Sequence, residues 1–487
     1  MVMNNAIATS HPLAVRAGEQ MFAQGGSAVD AAIAAAAVLT VVEPTGCGLG
    51  SDAFAQVWDG AKLHGLDASG PAPAAWTPEY FVNKYGPVDR VPQRGIDSIT
   101  VPGAVAAWSV LSARFGQLPF ADLLQPAIDL AQHGHVIRRS WDIREYYKQP
   151  GFVEVFSRRG RVPQPGETFQ LPAIARGLAA IAGTHGQAFY TGEIADALVK
   201  FSQQHGGAIS VEDLKHYQPE WVQSITQNYQ GYTVHELPPR GQGIAALMAL
   251  GMLKHFDLED NAVSTHLQIE AVKLAFADLH QYIAQPSSIT VQQLLDPVYL
   301  KQRAGLIDLD HAQDFGAGNP VLADTVLVTA ADVSGQMISF IQSNSYGFGS
   351  GCVEPTYGIS LQNRGHAFRV NDVVPGQRPF HTIIPAFVFE NGQPVMSFGV
   401  VGGNMQPQAH VQCLVRVLKY KQSVQAACAA PRWRFDQGLE IAVEPGIDAA
   451  DLQRRGHVIN NTNSNFGVAQ FVWRDTKYTA ISDERWL

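Results

Sequence analysis

The stretch SAVDAAIAAAAVLTVVEP, residues 27–44, constrains this chain more than any other. Ser27 is placed to cap a helix, Asp30 falls in its first turn and Pro44 ends it. Between Asp30 and Glu43 no charged residue appears, so the helix has no face to give to water. Its many alanines leave room for other backbone to come close. It is also too short and too alanine-rich to span a bilayer. Such a helix must be packed inside a globular body, and a chain of 487 residues is long enough to surround it.

The remaining composition narrows the function classes. Hydrophobic residues make up 46% and charged residues 16%, with a formal net charge of -9. No basic run or aromatic-interleaved basic patch is present, which argues against a nucleic-acid partner. Cys47, Cys352, Cys413 and Cys428 are scattered, with no CxxC pair, and read as reduced, buried thiols. The opening MVMNNAIATSHP lacks the basic region and apolar stretch of a secretion signal. The expectation is a soluble cytoplasmic protein with no membrane partner.

Familiar catalytic patterns are missing. There is no phosphate-binding loop, no HExxH and no G-x-S-x-G elbow. His133 and His135 lack an acidic neighbour, and His266, Glu270 and His280 lie along one helix where packing or capping explains them. No metal and no cofactor is expected.

Along the chain the texture changes once. Helical patterns dominate up to about residue 315, among them AVAAWSVLSARF, PAIARGLAAIAGTHG, HLQIEAVKLAFADLHQYI and LLDPVYLKQRAGLI. The loop TGCGLGSDAF (residues 45–54) carries glycines that suit close backbone approach. GAGNPVLAD (316–324) reads as an exposed connector, after which strand-like runs follow: TVLVTAA, MISFIQS, HTIIPAFVFE, PVMSFGVVGG and FGVAQFVWR. HVQCLVRVLKYKQ among them reads as a helix. The first strand begins on Thr325, directly after Asp324, and a strand needs no particular first residue. Ser343 and Ser345 fall on its hairpin partner. GVVGGN ends a strand with Gly402 and Gly403, which suits either a plain turn or backbone N–H groups gathered around an oxyanion.

These pieces assemble into a known pattern. SHPLAVRAGEQMFAQGGSAVDAAIAAAAVLTVVEPTGCGLGSDAF resembles the N-terminal signature of the γ-glutamyltransferase family, and HLQIEAVKLAFADLHQYI a late helix of its large subunit. RPFHTIIPAF, SFGVVGGNMQPQAHVQ and AACAAPRWRF resemble its small-subunit motifs, in the same order to the end of the chain. The resemblance implies an α+β fold, the four-layer αββα sandwich of the N-terminal nucleophile (Ntn) hydrolases. One compact unit would form from two subunits cut from one precursor.

The family's T-T-H-x-S-V-V-D matches T-V-L-V-T-A-A-D here, from Thr325 to Asp332. By that match the precursor cuts itself between Asp324 and Thr325, giving a mostly helical large subunit of residues 1–324 and a strand-rich small one of 325–487. Thr325 would be the nucleophile, Ser343 the hydroxyl that hydrogen-bonds it, and Gly402 and Gly403 the oxyanion glycines. The two pieces would form a heterodimer, with pairing of two heterodimers left open.

The departures bear on substrate. The family's L-D-x-R-E arginine, which grips the substrate α-carboxylate, is Ser69 here. Its small-subunit asparagine is Ser345, its amine-binding Gln and Asp align near Arg364 and Ala367, and its paired serines are His381 and Thr382. The γ-glutamyl clamp is therefore nearly gone, and an unpaired carboxylate in such a site is costly. Ser345, Arg364, His381 and Thr382 become the substrate-binding candidates, with Arg364 suited to a bidentate carboxylate grip. Within the family the pattern is most similar to the branch that hydrolyses oxamate to oxalate and ammonia in bacterial purine breakdown. The cephalosporin-acylase branch, typically with a serine nucleophile, fits less well. A γ-glutamyl hydrolase or transpeptidase, another acylase of the family, and an unprocessed binding protein are the alternatives.

Overall fold

The computed structural model describes residues 4–141, 143–284, 287–316, 324–462 and 465–486. The connector expected over residues 316–324 lies, apart from Gly316 and the backbone of Asp324, outside them. Twelve strands build two sheets. In chain order they are β1 (Ala6–Thr9), β2 (Asp52–Trp58), β3 (Leu63–Ala68), β4 (Glu220–Val222), β5 (Ile225–Tyr229), β6 (Tyr232–Glu236), β7 (Asp324–Ala331), β8 (Met337–Ser345), β9 (Ala386–Glu390), β10 (Gln393–Val401), β11 (Val468–Arg474) and β12 (Tyr478–Ser482). The first sheet runs β1-β7-β8-β2-β3-β4 and the second β12-β11-β10-β9-β6-β5, with every neighbouring pair antiparallel.

The sheets pack face to face. Leu327 of β7 lies against Gly399 of β10, and Thr329 Oγ1 meets Ser397 Oγ at 2.5 Å. Phe54, Leu327, Ile341, Val401 and Val468 form part of the apolar filling between them. Helices cover both outer faces. Helix α1 (Ala28–Val42) lies over the first sheet with all fifteen residues buried. Helices α2 (Gly243–Leu253), α3 (Ala262–Tyr282) and α4 (Met405–Leu414) cover the second. The chain is a four-layer αββα sandwich.

The alanine-rich helix is capped as its sequence predicts. Ser27 Oγ accepts from Asp30 N, while Asp30 Oδ2 accepts from Ser27 N and reaches across to the backbone N–H groups of Gln117 and Leu118. Asp332, just past the end of β7, accepts from Ala28 N at 2.8 Å and so ties the helix start to the strand that carries Thr325.

The structure adds detail to two of these readings. Six of the twelve sheet strands, β1 to β6, lie in the part read as mostly helical, and β2 begins inside the stretch read as a loop. These strands are short, and β2, buried on both faces, has no alternation to show. LLDPVYLKQRAGLI is not one helix: a turn at Val291–Leu294 ends, Asp296 caps a new start, and Pro297 opens the helix Pro297–Ala304.

Candidate active site

Thr325 is the second residue of β7, 3% exposed. Its Oγ1 donates to Ser343 Oγ at 3.2 Å, and Ser343 Oγ accepts Ser345 N at 2.9 Å. The β7–β8 register runs regularly to Gln342 opposite Val326, then breaks, and resumes with Ser345 opposite Asp324. Ser343 and Asn344 thus both stand opposite Thr325, a bulge that leaves a side chain re-aimed at the sheet end. Ser345 closes it at φ +83, a conformation few residues other than glycine adopt.

The glycine loop expected to approach backbone closely does so here. A Cβ on Gly46 would stand 3.4 Å from the Thr325 carbonyl carbon, and Gly48 and Gly50 lie against Ser360. Asn344 N donates to Gly46 O, and Ser51 Oγ donates to Asn344 Oδ1 at 2.8 Å. The loop is therefore fastened to the bulge.

Gly402 and Gly403 form the turn from β10 into α4, at φ +133 and +62. Gln242, at the start of α2, holds this turn: its Nε2 donates to Gly403 O at 2.8 Å and to Thr382 O at 2.5 Å. Behind it, Glu236 of β6 and His410 of α4 form a fully buried pair at 2.7 Å.

Beside Thr325 lies a buried charged cluster. Asp52, the first residue of β2, is directly opposite Ser343 in register, so both side chains leave the sheet on the same face. Its carboxylate approaches His381 Nε2 at 3.2 Å but without hydrogen-bond alignment, and neither oxygen makes a well-aligned hydrogen bond elsewhere, the approach of the Gly70 N–H included. Arg364, 3% exposed, donates from Nη1 to Thr382 Oγ1 at 3.2 Å, while its Nε and Nη2 have no partner. Burial pushes the Asp52 carboxyl up to about 8 against the opposing pull of Arg364, and lowers Arg364 to about 10. Burial and the nearby Arg364 keep the His381 imidazole neutral, well below its ordinary range.

The cluster borders a cleft of 940 Å³ whose walls include Ser345, Arg364, Thr382 and Asn404. Among the described residues Arg90, Arg240, Arg364 and Arg369 line it against one acid, Asp372, although the chain as a whole is acidic. His381 lies behind the wall, and Ser69 is buried, its N–H and hydroxyl both turned to Asp67 and its carbonyl bound by Arg378. Among the described residues one group could hold a metal, His266, Glu270 and His457. There Lys273 Nζ already donates to Glu270 at 2.7 Å and supplies the positive charge.

The sequence matches the family described as Gamma-glutamyltranspeptidase over residues 14–486. The chain belongs to that family. Among curated γ-glutamyltranspeptidase relatives, the oxamate amidohydrolase proenzyme of Klebsiella pneumoniae is 35% identical over 87% of this chain and 83% of its own length. The glutathione hydrolase-like YwrD proenzyme of Bacillus subtilis is 34% identical over 88% and 84%. The crystal structure of a cephalosporin acylase from Bacillus halodurans superposes with a TM-score of 0.92 at 42% identity, covering 97% of this chain and 92% of that one. This γ-glutamyltranspeptidase-family member is thus an Ntn hydrolase, an amide-cleaving enzyme made as a self-processing proenzyme.

Reading the sequence alone missed Asp52 and Gln242. Asp52 was legible only as part of a glycine loop, and Gln242 as a polar residue before an apolar helix. What singles them out is which strand and which turn they meet.

Proposed function

We propose that this chain is an N-terminal-threonine amidohydrolase acting on a small amide whose carboxylate is held at Arg364, with oxamate, hydrolysed to oxalate and ammonia, as the leading substrate. The observation that carries this is the pair of unpartnered N–H groups on the buried guanidinium of Arg364, at the cleft wall beside Thr382. Buried donors are almost always satisfied, and a planar carboxylate suits two of them.

In this reading Thr325 Oγ1 attacks the Asp324 carbonyl, the peptide nitrogen leaves as the new α-amine, and water hydrolyses the resulting ester. Residues 1–324 and 325–487 then remain together as two subunits. The freed amine, with an unperturbed pKa of about 8, takes the proton from its own hydroxyl as that oxygen attacks the substrate carbonyl. Ser343 orients the hydroxyl, and the turn at Gly402 and Gly403 offers N–H groups to the oxyanion. The amine product leaves with a proton, and water releases the acid and restores Thr325. A cytoplasmic role in purine breakdown follows from the oxamate reading.

The cleft volume favours one second reading. It holds far more than oxamate, so a longer carboxylate-bearing acyl amide fits as well, in line with the acylase among the solved relatives. N-terminal sequencing of the smaller fragment tests Thr325. Ammonia release from oxamate and from a primary glutaryl amide, set beside p-nitroaniline release from γ-glutamyl-p-nitroanilide, tests the substrate. Release from γ-glutamyl-p-nitroanilide with none from the other two would overturn the reading.

A further inference from the structure

Six buried polar atoms without hydrogen-bond partners gather at one place: both Asp52 oxygens, Nε and Nη2 of Arg364, and both ring nitrogens of His381. Unsatisfied groups in a folded core are few, and a cluster of them needs an explanation. Arg364 lines the cleft with donors to spare and His381 lies behind that wall, whereas Asp52 brings a negative charge that an anion entering the cleft must meet. Two carboxylates beside one guanidinium leave a buried net charge, which is costly.

We propose that Asp52 sets anion binding at this site by competing for Arg364: ionised, it is the guanidinium's internal counter-ion, and protonated, it yields Arg364 to the carboxylate of the substrate. The proton comes from solvent and resides on the Asp52 carboxyl, whose O–H then faces His381 Nε2, 3.2 Å away. A small reorientation of the imidazole, in the tautomer with hydrogen on Nδ1, lets Nε2 accept it. No bond to carbon forms or breaks, and one proton is taken up for each anion bound to the ionised form. This rests on the reading of Arg364 as the carboxylate clamp.

The surroundings favour such an exchange. Asp52 faces Arg364 and Arg378, the Asp67 carboxyl of β3, the phenols of Tyr190 and Tyr217, and the backbone N–H of Gly70. Arg378 is engaged by Glu220, Gln218 O and Ser69 O, so it is committed elsewhere. Both phenols are pushed upward by burial and stay neutral. Among the side chains of this cluster Asp52 is therefore the one that exchanges a proton near neutrality, since burial places it at about 8; the freed Thr325 amine titrates in the same range, and Asp52→Asn separates the two.

The test is calorimetric titration of the processed enzyme with oxalate, in buffers of different ionisation enthalpy, at about pH 6 and about pH 9. We expect proton uptake per oxalate to rise from near zero to about one, and affinity to fall by up to about tenfold per pH unit above 8. In Asp52→Asn, uptake stays near zero and affinity is level across the range. Oxalate that fails to bind, or binds Arg364→Gln as tightly, overturns the clamp and the exchange with it. Binding that needs Arg364 but takes up no proton in the wild type overturns the exchange alone. That arm needs no Asp52 variant, so a variant that fails to fold does not decide the matter.

Discussion

Thr325 Oγ1 donates to Ser343 Oγ across a β-bulge, at 3.2 Å, and the same Ser343 oxygen accepts the N–H of Ser345. A regular ladder sets one residue opposite another. The bulge sets two residues opposite Thr325, so this hydroxyl contact depends on an irregularity in the sheet and on the positive φ of Ser345.

Replacing Thr325 by Ala is expected to leave one uncut chain on a denaturing gel and no amidase activity, because the variant loses both the processing and the catalytic oxygen. A gel and an ammonia assay check it; cleavage that persists places the nucleophile elsewhere.

Ser343→Ala removes one hydrogen bond to the nucleophile, about 1–3 kcal/mol in a buried setting, so kcat should fall by roughly tenfold to a hundredfold. Ser343→Thr keeps the oxygen and should retain most of the rate. Steady-state kinetics on the two variants separate the hydroxyl from its packing.

Arg364→Gln should lower kcat/KM for a carboxylate substrate by about 2–5 kcal/mol, chiefly through KM, since a charge-assisted grip is lost. Arg364→Lys should recover little, because a point charge does not reproduce the two-pronged fork. An equal loss with an uncharged amide would argue that Arg364 is only structural.

Asp332→Ala removes the carboxylate that caps Ala28 at the head of the alanine-rich helix. The expected loss is about 1–2 kcal/mol of stability, read as a lower midpoint in urea.

Asp52 gives a pH signature in stability. Its carboxyl is raised to about 8 in the folded state from an ordinary value of 3.8, so the native state holds this proton where the unfolded chain does not. The contribution is full below the unfolded value, declines as pH rises between the two, and is gone above the folded one. Asp52→Asn should therefore gain stability relative to wild type as pH rises from about 4 to about 8. Urea midpoints at both ends of that window measure the difference.

The sequence by itself determined much of this protein. The uncharged alanine helix, its Ser27 and Asp30 cap, the threonine at the head of a strand and the glycine pair 402–403 are local patterns, because capping, periodicity and turn chemistry act over a few residues. The ordered motifs carried the family as well. The tertiary structure decided what depends on distant segments meeting. Half of the sheet strands lie in the part that reads as helical: they are short, and β2, buried on both faces, has no alternation to show. Asp52 and Ser343 are 291 positions apart in sequence, and Gln242 reaches Thr382 and Gly403 from another segment again. Burial and neighbouring charge set the proton affinity of Asp52 and the free donors of Arg364, and neither exists until the sheets have closed around them.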